Sequence, residues 1–389
     1  MPAPKPKYQQ LFESLAEDIR SGRYGPGDKL PSEAALVEQF QTSRITVVRA
    51  LRELQQRGLV QRRAGSGTYA TNGAAAPSLL FGLLIPNLGE TEIFGPICQS
   101  IAEFLQGRHH ALLWGNMTPA VEAKATRSLE LCQQYIAQRV AGVFFAPLEW
   151  TPQNDQTNQA VIAVLEGAGI PVLLLDRGYL PYPKRSPHDL VSIDHRRAGY
   201  LVTEHLLELG NRRVAFLAYA HSAPTIDARV AGYQEALSRA GVAVETSLVR
   251  QLNSGQPDEI AQLMRRIKPD AIVCANDRTA GHVMRGLLGL GYRIPKDVRI
   301  AGIDDVQYAN LLPVPLTTVH QPCREMGMAA GAAMLERVAM PDMPTRDIYL
   351  DCRLVVRDSC GATTHRAEPR PVTTVAEGRR EADSLAGTG

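Results

Sequence analysis

The stretch from Asp28 to Tyr69, DKLPSEAALVEQFQTSRITVVRALRELQQRGLVQRRAGSGTY, decides how the chain is read. Pro31-Ser32 is a helix start, because the Ser32 hydroxyl can accept a hydrogen bond from an orphan N–H of the first turn. That helix runs to about Phe40. Thr42 or Ser43 caps the next one, in which Val47, Leu51 and Leu54 recur at helical spacing and form a buried seam. Ile45, Arg49, Arg52 and Gln56 fall away from the seam, and Arg44 and Thr46 crown the first turn. Gly58 stops the helix. Leu59–Arg63 and Gly67–Thr71 then pair as a hairpin around residues 64–67, a wing beside the two helices. An earlier helix carries Tyr8, Leu11, Phe12, Leu15 and Ile19 on one face.

Between Gln41 and Arg63 stand six arginines (Arg44, Arg49, Arg52, Arg57, Arg62 and Arg63) against one acid, Glu53. That density suits a surface that neutralises phosphates. The N-terminal residues of the second helix are the ones placed to reach base edges in a major groove. A lone basic amphipathic run can be a merely solvated face, but helix, turn, helix and wing in this order argue for DNA. GSGTYA (65–70) loosely fits a dinucleotide fingerprint. That motif needs a buried strand before it and a helix after it, whereas residues 60–63 are charged and Thr68-Tyr69 is strand-like, so it is rejected.

Residues 5 to 71 closely resemble the winged helix-turn-helix of GntR-type bacterial regulators. The matching segments are YQQ (8–10), PGDKLPSE (26–33), SRITV (43–47) and GSGT (65–68). The resemblance implies that Ser43, Arg44, Thr46 and the wing residue Gly65 contact DNA. Ser32, Arg49 and Arg62 join them as candidates from the charge and helix-start reading. Two departures stand out. Ala34 and Val48 replace arginines frequent in that family, so the operator contacts differ locally, with Val48 or Ile45 available to a thymine methyl group.

A chain of 389 residues is too long for one winged helix and predicts further domains. Residues 1–70 hold eleven Lys/Arg and seven Asp/Glu, a net +4, which leaves −2 for the remainder of a chain whose total is +2. The DNA-facing charge is therefore local. No run of apolar residues is long enough to span a membrane and the N-terminus lacks an apolar signal core, so a cytoplasmic protein without a membrane partner is expected. The six cysteines are scattered without C-x-x-C spacing, and the nine histidines show no ligand spacing. Reduced thiols, no metal and no cofactor are expected. Residues 72–78 read as a small-residue linker and 363–389 as a disordered tail.

From Leu79 onward short apolar runs alternate with helical patterns. The clearest strands are 79–86, 111–116, 142–147, 171–176, 190–194, 213–218, 271–277 and 299–305, with helices at 97–107, 118–138, 196–210, 227–241, 258–267 and 279–291. Continuous Val/Ile/Leu runs mean strands buried on both faces, as in a parallel sheet covered by helices. So many evenly spaced strands favour two α/β lobes. Polar residues gather at strand ends, namely Asp176-Arg177, Asp194, Asn276-Asp277 and Asp304-Asp305. Ligands of open α/β sheets bind beyond those ends, so a polar cleft for a hydroxylated small molecule is expected. Each Asp taken singly could instead cap the following helix or turn, most of all Asp277 and Asp305.

Residues 79 to 361 resemble the effector domain of LacI/GalR-type repressors, which is related to periplasmic sugar-binding proteins. The resemblance rests on GIPV (169–172), VSID (191–194), EHL (204–206), LGNRR (209–213), RVAGY (229–233), PDAI (269–272), AND (275–277), GIDD (302–305), PLTTVHQP (315–322) and LVVRDSC (354–360), in order. It implies effector contacts at Phe94, Asp176, Arg229, Asn276, Asp304 and Gln321, and chain crossings between lobes near Ile193, His320 and Pro341–Thr345. The GntR-type head in front of such a domain resembles the arabinose-repressor-like branch. The expectation is thus an α/β protein with a winged helix-turn-helix over 1–71 and a two-lobed effector and dimerisation domain over 79–362. It would be a homodimeric repressor that binds a double-stranded, inverted-repeat operator under control of a sugar-like effector. A transporter's solute-binding protein is the alternative, disfavoured by the DNA head. A dehydrogenase-type enzyme is disfavoured because no GxGxxG follows residues 79–86.

Overall fold

The computed structural model describes residues 6–63, 66–71, 78–85, 92–115, 124–149, 152–220 and 223–362. The expected tail, the linker residues 72–77 and the wing residues 64–65 lie outside the described residues.

The N-terminal unit consists of α1 (Lys7–Arg20), α2 (Glu33–Gln39) and α3 (Arg44–Gln56), followed by an antiparallel hairpin of β1 (Val60–Arg63) and β2 (Gly67–Ala70). Ser32 and Ser43 are the N-caps of α2 and α3, each accepting a bond from the backbone N–H three residues on. Gly58 leaves α3 at φ +66°, a left-handed conformation that glycine adopts without a Cβ clash. Leu11, Leu15, Leu36, Val47, Leu51 and Leu54 are fully buried and close over Val60 and Ala70. Each such side chain contributes about 1.5–3 kcal/mol relative to exposure. An isolated bridge at Lys29 ties the preceding loop to β2, with Leu30 N–H donating to Thr68 O and Ala70 N–H to Asp28 O, both at 2.8 Å.

The remainder folds as two lobes, each built on a six-stranded sheet. The first contains β3 (Leu80–Leu84), β4 (Ala111–Trp114), β5 (Gly142–Phe145), β6 (Val172–Leu175), β7 (Asp189–Ile193) and β13 (Asp347–Leu350), in the order β13-β7-β6-β5-β3-β4 and parallel throughout. Its helices are α4 (Phe94–Gln106), α5 (Lys124–Ala137), α6 (Pro152–Gly167) and α11 (Cys323–Ala339). The second contains β8 (Val214–Tyr219), β9 (Val249–Leu252), β10 (Ala271–Cys274), β11 (Arg299–Asp304), β12 (Thr317–His320) and β14 (Arg353–Val355), in the order β14-β12-β11-β10-β8-β9. Here β14 alone is antiparallel to its neighbour. Its helices are α7 (His195–Glu208), α8 (Thr225–Arg239), α9 (Pro257–Ile267) and α10 (Asp277–Gly289). Every residue of β5, β6 and β10 is buried, as sheets covered on both faces require.

The eight expected strands are all present. The elements β9, β12, β13, β14, α6 and α11 were not expected, and each carries a weak pattern. Residues 152–159 open α6 with a polar run, α11 is Ala- and Gly-rich with no single apolar stripe, and β13 alternates exposed with half-buried residues. The chain crosses between lobes at Asp194 and at Gln321-Pro322, close to expectation. The third crossing falls at Asp351-Cys352 rather than at Pro341–Thr345. The reason is that β13 still belongs to the first lobe, paired with β7 through Ile348 and Val191. Arg197 clamps this crossing, donating to Asp351 Oδ1 at 2.6 Å and to Cys352 O at 2.7 Å. No described helix is long and apolar enough to cross a membrane.

Candidate functional site

The ends of the central strands of both lobes deliver the polar residues of the cleft. Asp176 follows β6, Asn276 follows β10, Asp304 ends β11 and Gln321 follows β12. Asp176 and Asp304 both hold positive φ, +67° and +128°, a conformation that costs a non-glycine residue about 1–3 kcal/mol and persists only where its surroundings fix it. Arg229 arrives from α8, seated by close backbone packing of α7 against α8. A Cβ on Gly199 would lie 2.0 Å from Arg229 O, and one on Gly232 would lie 1.9 Å from Arg196 O.

These side chains form one connected network. Arg229 Nη2 donates to Asp304 Oδ1 at 3.3 Å and Arg229 Nη1 donates to Ala275 O. Arg229 Nε and Nη2 lie 3.3 and 3.2 Å from His195 Nδ1. Gln321 Nε2 donates to the same Asp304 oxygen at 2.6 Å. On the other side of the imidazole, Nε2 is 3.2 Å from Asp176 O, 3.3 Å from Ser192 Oγ and 3.4 Å from Asp176 Oδ1. Arg177 donates to Asp176 Oδ2 at 3.4 Å and to Pro147 O at 2.8 Å, with its guanidinium 5.7 Å from the ring centre of Phe94. A further inter-lobe bond runs from Tyr308 Oη to Glu92 Oε1 at 3.1 Å.

Burial is the largest single influence on each of Asp176, His195 and Asp304. It pushes Asp304 up to about 6, although Arg229 and Gln321 pull the other way. It pushes Asp176 up as well, but His195, Arg177 and Arg229 outweigh it and hold that carboxyl below the usual range. His195 is held below the ordinary imidazole value by burial, with the facing Arg229 adding to it. Two buried acceptors, Asp176 Oδ1 and Gln321 Oε1, have no hydrogen-bond partner among the described residues. The His195 contact to Asp176 Oδ1 is close enough for charge attraction but is not aligned as a hydrogen bond. A buried acceptor left unpaired costs about 1–3 kcal/mol, so a ligand bearing hydroxyl donors suits the site.

Of the six effector candidates, Asp176, Arg229, Asp304 and Gln321 meet within this network and Phe94 borders it through Arg177. Asn276 is placed otherwise. Its Oδ1 caps α10, accepting from Thr279 N–H and Oγ1 at 2.8 and 2.7 Å, and only its neighbour's carbonyl reaches Arg229. Three strand-end aspartates do not serve the cleft. Asp194 is exposed and caps α7. Asp277 is buried and accepts from Thr318 Oγ1 and Val306 N–H. Asp305 is taken up by Arg357 and His320. The residue that sequence reasoning missed is His195, whose signal was only its place directly after the strand-end Asp194.

In the head, Ser32 and Ser43 spend their hydroxyls as caps, and Ser43 Oγ also meets Thr46 Oγ1 at 2.9 Å. Arg44 donates to Glu33 Oε2 at 3.1 Å and Arg62 to Glu33 Oε1, so one carboxylate gathers an arginine of α3 and an arginine of β1. Arg49 stacks over Tyr8 at 3.9 Å from the ring centre, a contact that holds a guanidinium in place without consuming its charge. Ile45 is 83% exposed on the same surface. Gly65 lies outside the described residues. Glu33 was not singled out from the sequence.

Both units resemble known proteins. Residues 7–70 match the bacterial regulatory proteins of the gntR family, and residues 203–360 match the periplasmic binding protein-like domain. The arabinose metabolism transcriptional repressor of Geobacillus stearothermophilus is 28% identical over 366 residues, covering 91% of this chain and 97% of that protein. A complex of the transcriptional regulator CelR with cellobiose superposes with a TM-score of 0.62 at 22% identity, over 91% of this chain and all of that one, which speaks for the fold. The lac repressor dimer bound to operator and the anti-inducer ONPF gives a TM-score of 0.61 at 26% identity, over 74% of this chain and 95% of that one. The chain is a DNA-binding transcriptional regulator that joins a gntR-family winged helix-turn-helix to a LacI-type, periplasmic-binding-protein-like effector domain.

Proposed function

We propose that this regulator is a homodimeric repressor that binds an inverted-repeat operator and is switched by a neutral, sugar-like effector held between its two lobes. The head is assigned residues 1–71 and the effector and dimerisation domain residues 79–362. The observation that carries the reading is the cleft network. Asp176 from the first lobe and Arg229 and Asp304 from the second are joined through buried side chains, beside two unpaired acceptors. A ligand that bridges both lobes stabilises their closed arrangement, and it shifts operator binding only by its differential affinity for the two states. A hundredfold change in operator affinity requires about 2.7 kcal/mol of such difference. Arg44, Thr46 and Arg49 at the start of α3, with Ser32, Ser43, Arg62 and Gly65, are assigned to the DNA-facing surface. The cleft is read as a binding site and no catalytic step is assigned to it. The name of the Geobacillus relative makes L-arabinose the first sugar to try and the CelR complex makes cellobiose the second.

The test is a thermal-shift series on the full chain with L-arabinose, cellobiose and related sugars, with operator retention measured in parallel. A sugar that raises the melting temperature and changes operator affinity supports the reading. Sugars that do neither, beside a nucleotide or amino acid that does both, would replace it. Sedimentation of residues 79–362 reads the dimer assignment, for which a monomer is the contrary result.

A further inference from the structure

Arginine offers five N–H donors in a planar fork, and its strength as an anion receptor comes from presenting two of them side by side. Arg229 has neither pair to spare. Its Nε–Nη2 edge faces His195 Nδ1 at 3.3 and 3.2 Å, and its Nη2–Nη1 end is divided between Asp304 Oδ1 and Ala275 O. Because both atoms facing Nδ1 are obligate donors, Nδ1 must be the lone-pair nitrogen. The ring proton then sits on Nε2, which lies within hydrogen-bond distance of Asp176 O and Ser192 Oγ. The imidazole is neutral and oriented, and its first-turn position on α7, at the first crossing between lobes, keeps it between Asp176 and Arg229. The charged groups around it are Asp176 and Arg177 beyond β6, Arg229 from α8 and, past Arg229, Asp304 from β11.

We propose that His195 is a specificity-determining residue of the effector cleft: by occupying the Nε–Nη2 edge of Arg229 through Nδ1, it denies a bidentate seat to anions and leaves the cleft to neutral polyhydroxylated effectors. The inference rests on the effector-site reading above. An approaching carboxylate or phosphate meets Asp176 and Asp304 with no open edge of the Arg229 guanidinium between them. A hydroxyl needs a single donor or acceptor, and Asp176 Oδ1 and Gln321 Oε1 supply acceptors. Without the imidazole acceptor, the Nε–Nη2 edge opens and the cleft becomes an anion receptor.

Two measurements on the full chain test this. In the first, side-chain nitrogen spectra of histidine-labelled protein at pH 7.5 are compared with those of His195→Asn, which removes the resonance and so assigns it. The expected form is protonated at Nε2 and bare at Nδ1, and an Nδ1–H tautomer or an imidazolium overturns the proposal. In the second, L-arabinose against L-arabinonate and cellobiose against cellobionate are titrated into wild type, His195→Leu and His195→Asn. Wild type should prefer the neutral member by at least about tenfold. His195→Leu should narrow that preference by about tenfold or more, while His195→Asn, whose amide oxygen can replace Nδ1 as acceptor, should stay within about threefold of wild type. An unchanged preference in His195→Leu, or an asparagine variant that behaves like the leucine one, refutes the role. If neither sugar nor acid binds, the sugar reading fails on its own and the nitrogen spectrum alone decides the state of His195.

Discussion

Replacing Gly199 by alanine would drive a methyl group into the backbone of α8. The new Cβ would stand 2.0 Å from Arg229 O, 2.7 Å from its carbonyl carbon and 2.8 Å from its Cα. Restoring ordinary van der Waals contact requires α8 to retreat by roughly 1.4 Å at this point. Overpacking of that kind costs about 1–3 kcal/mol, and the better helix propensity of alanine returns up to about 1 kcal/mol. A net loss of about 1–2 kcal/mol corresponds to a melting temperature lower by roughly 2–8 °C for a domain of this size. The displaced carbonyl belongs to Arg229 itself, so contacts of 3.2 and 3.3 Å to His195 and Asp304 stretch beyond hydrogen-bond range. The effector concentration for half response should rise about tenfold or more while operator affinity stays near wild type. Gly289→Ala is the control, because its Cβ would meet nothing within 4 Å at the exposed end of α10. It should melt at or slightly above wild type. A Gly199→Ala protein that melts with wild type and responds at the same effector concentration would refute the argument from backbone contact.

Three further outcomes are expected. Arg44→Ala should weaken operator binding by about 1–3 kcal/mol in a fluorescence-anisotropy titration and affect random DNA less; equal losses on both would make Arg44 a phosphate contact only. Asp304→Ala should abolish the effector response and leave operator binding near wild type, because the heads lie in a separate unit; a retained response at unchanged concentration contradicts the cleft assignment. The third concerns pH. Burial holds His110, His188, His195, His205 and His282 below their ordinary value. The unfolded chain therefore takes up protons near pH 6.5 that the folded chain refuses, so stability is present above that value and falls as the pH drops through it. Asp304 and Asp277, pushed up by burial, bind protons more readily when folded and offset part of the loss. The melting temperature should be lower at pH 5.5 than at pH 7.5, and the reverse order would show that the aspartates dominate.

The head could be read almost completely from the sequence because its signals are local. A serine before a helix, a glycine after one and a repeat of Val47, Leu51 and Leu54 each act within a few residues. The central strands were equally plain, since burial on both faces forces continuous apolar runs. The outer strands β13 and β14, and the helix α11, were not, because their places depend on partners far away in the chain. Those partners also decide the third crossing. The cleft was half visible. Asp176, Asp194, Asp277, Asp304 and Asp305 look alike in sequence, all being carboxylates beside strand ends. What separates them is direction, with Asp277 turned toward Thr318 and Asp305 toward Arg357, while Asp176 and Asp304 converge on the imidazole and guanidinium. His195 had no periodic signature, because its partner Arg229 lies 34 residues along the chain.

Glu33 changes what the arginine count of the head means. Its carboxylate stands between Arg44 and Arg62, so it acts toward them as a tethered counterion that cannot diffuse away. A phosphate that takes either arginine displaces this resident carboxylate, where elsewhere on the surface it would displace a dissolved anion. Release of the cations condensed on duplex DNA makes affinity fall with added salt, at a logarithmic slope of about 0.9 per phosphate neutralised, and a carboxylate held beside Arg44 and Arg62 leaves them less charge with which to neutralise phosphates. The head should therefore be less sensitive to salt than its six arginines between residues 41 and 63 suggest.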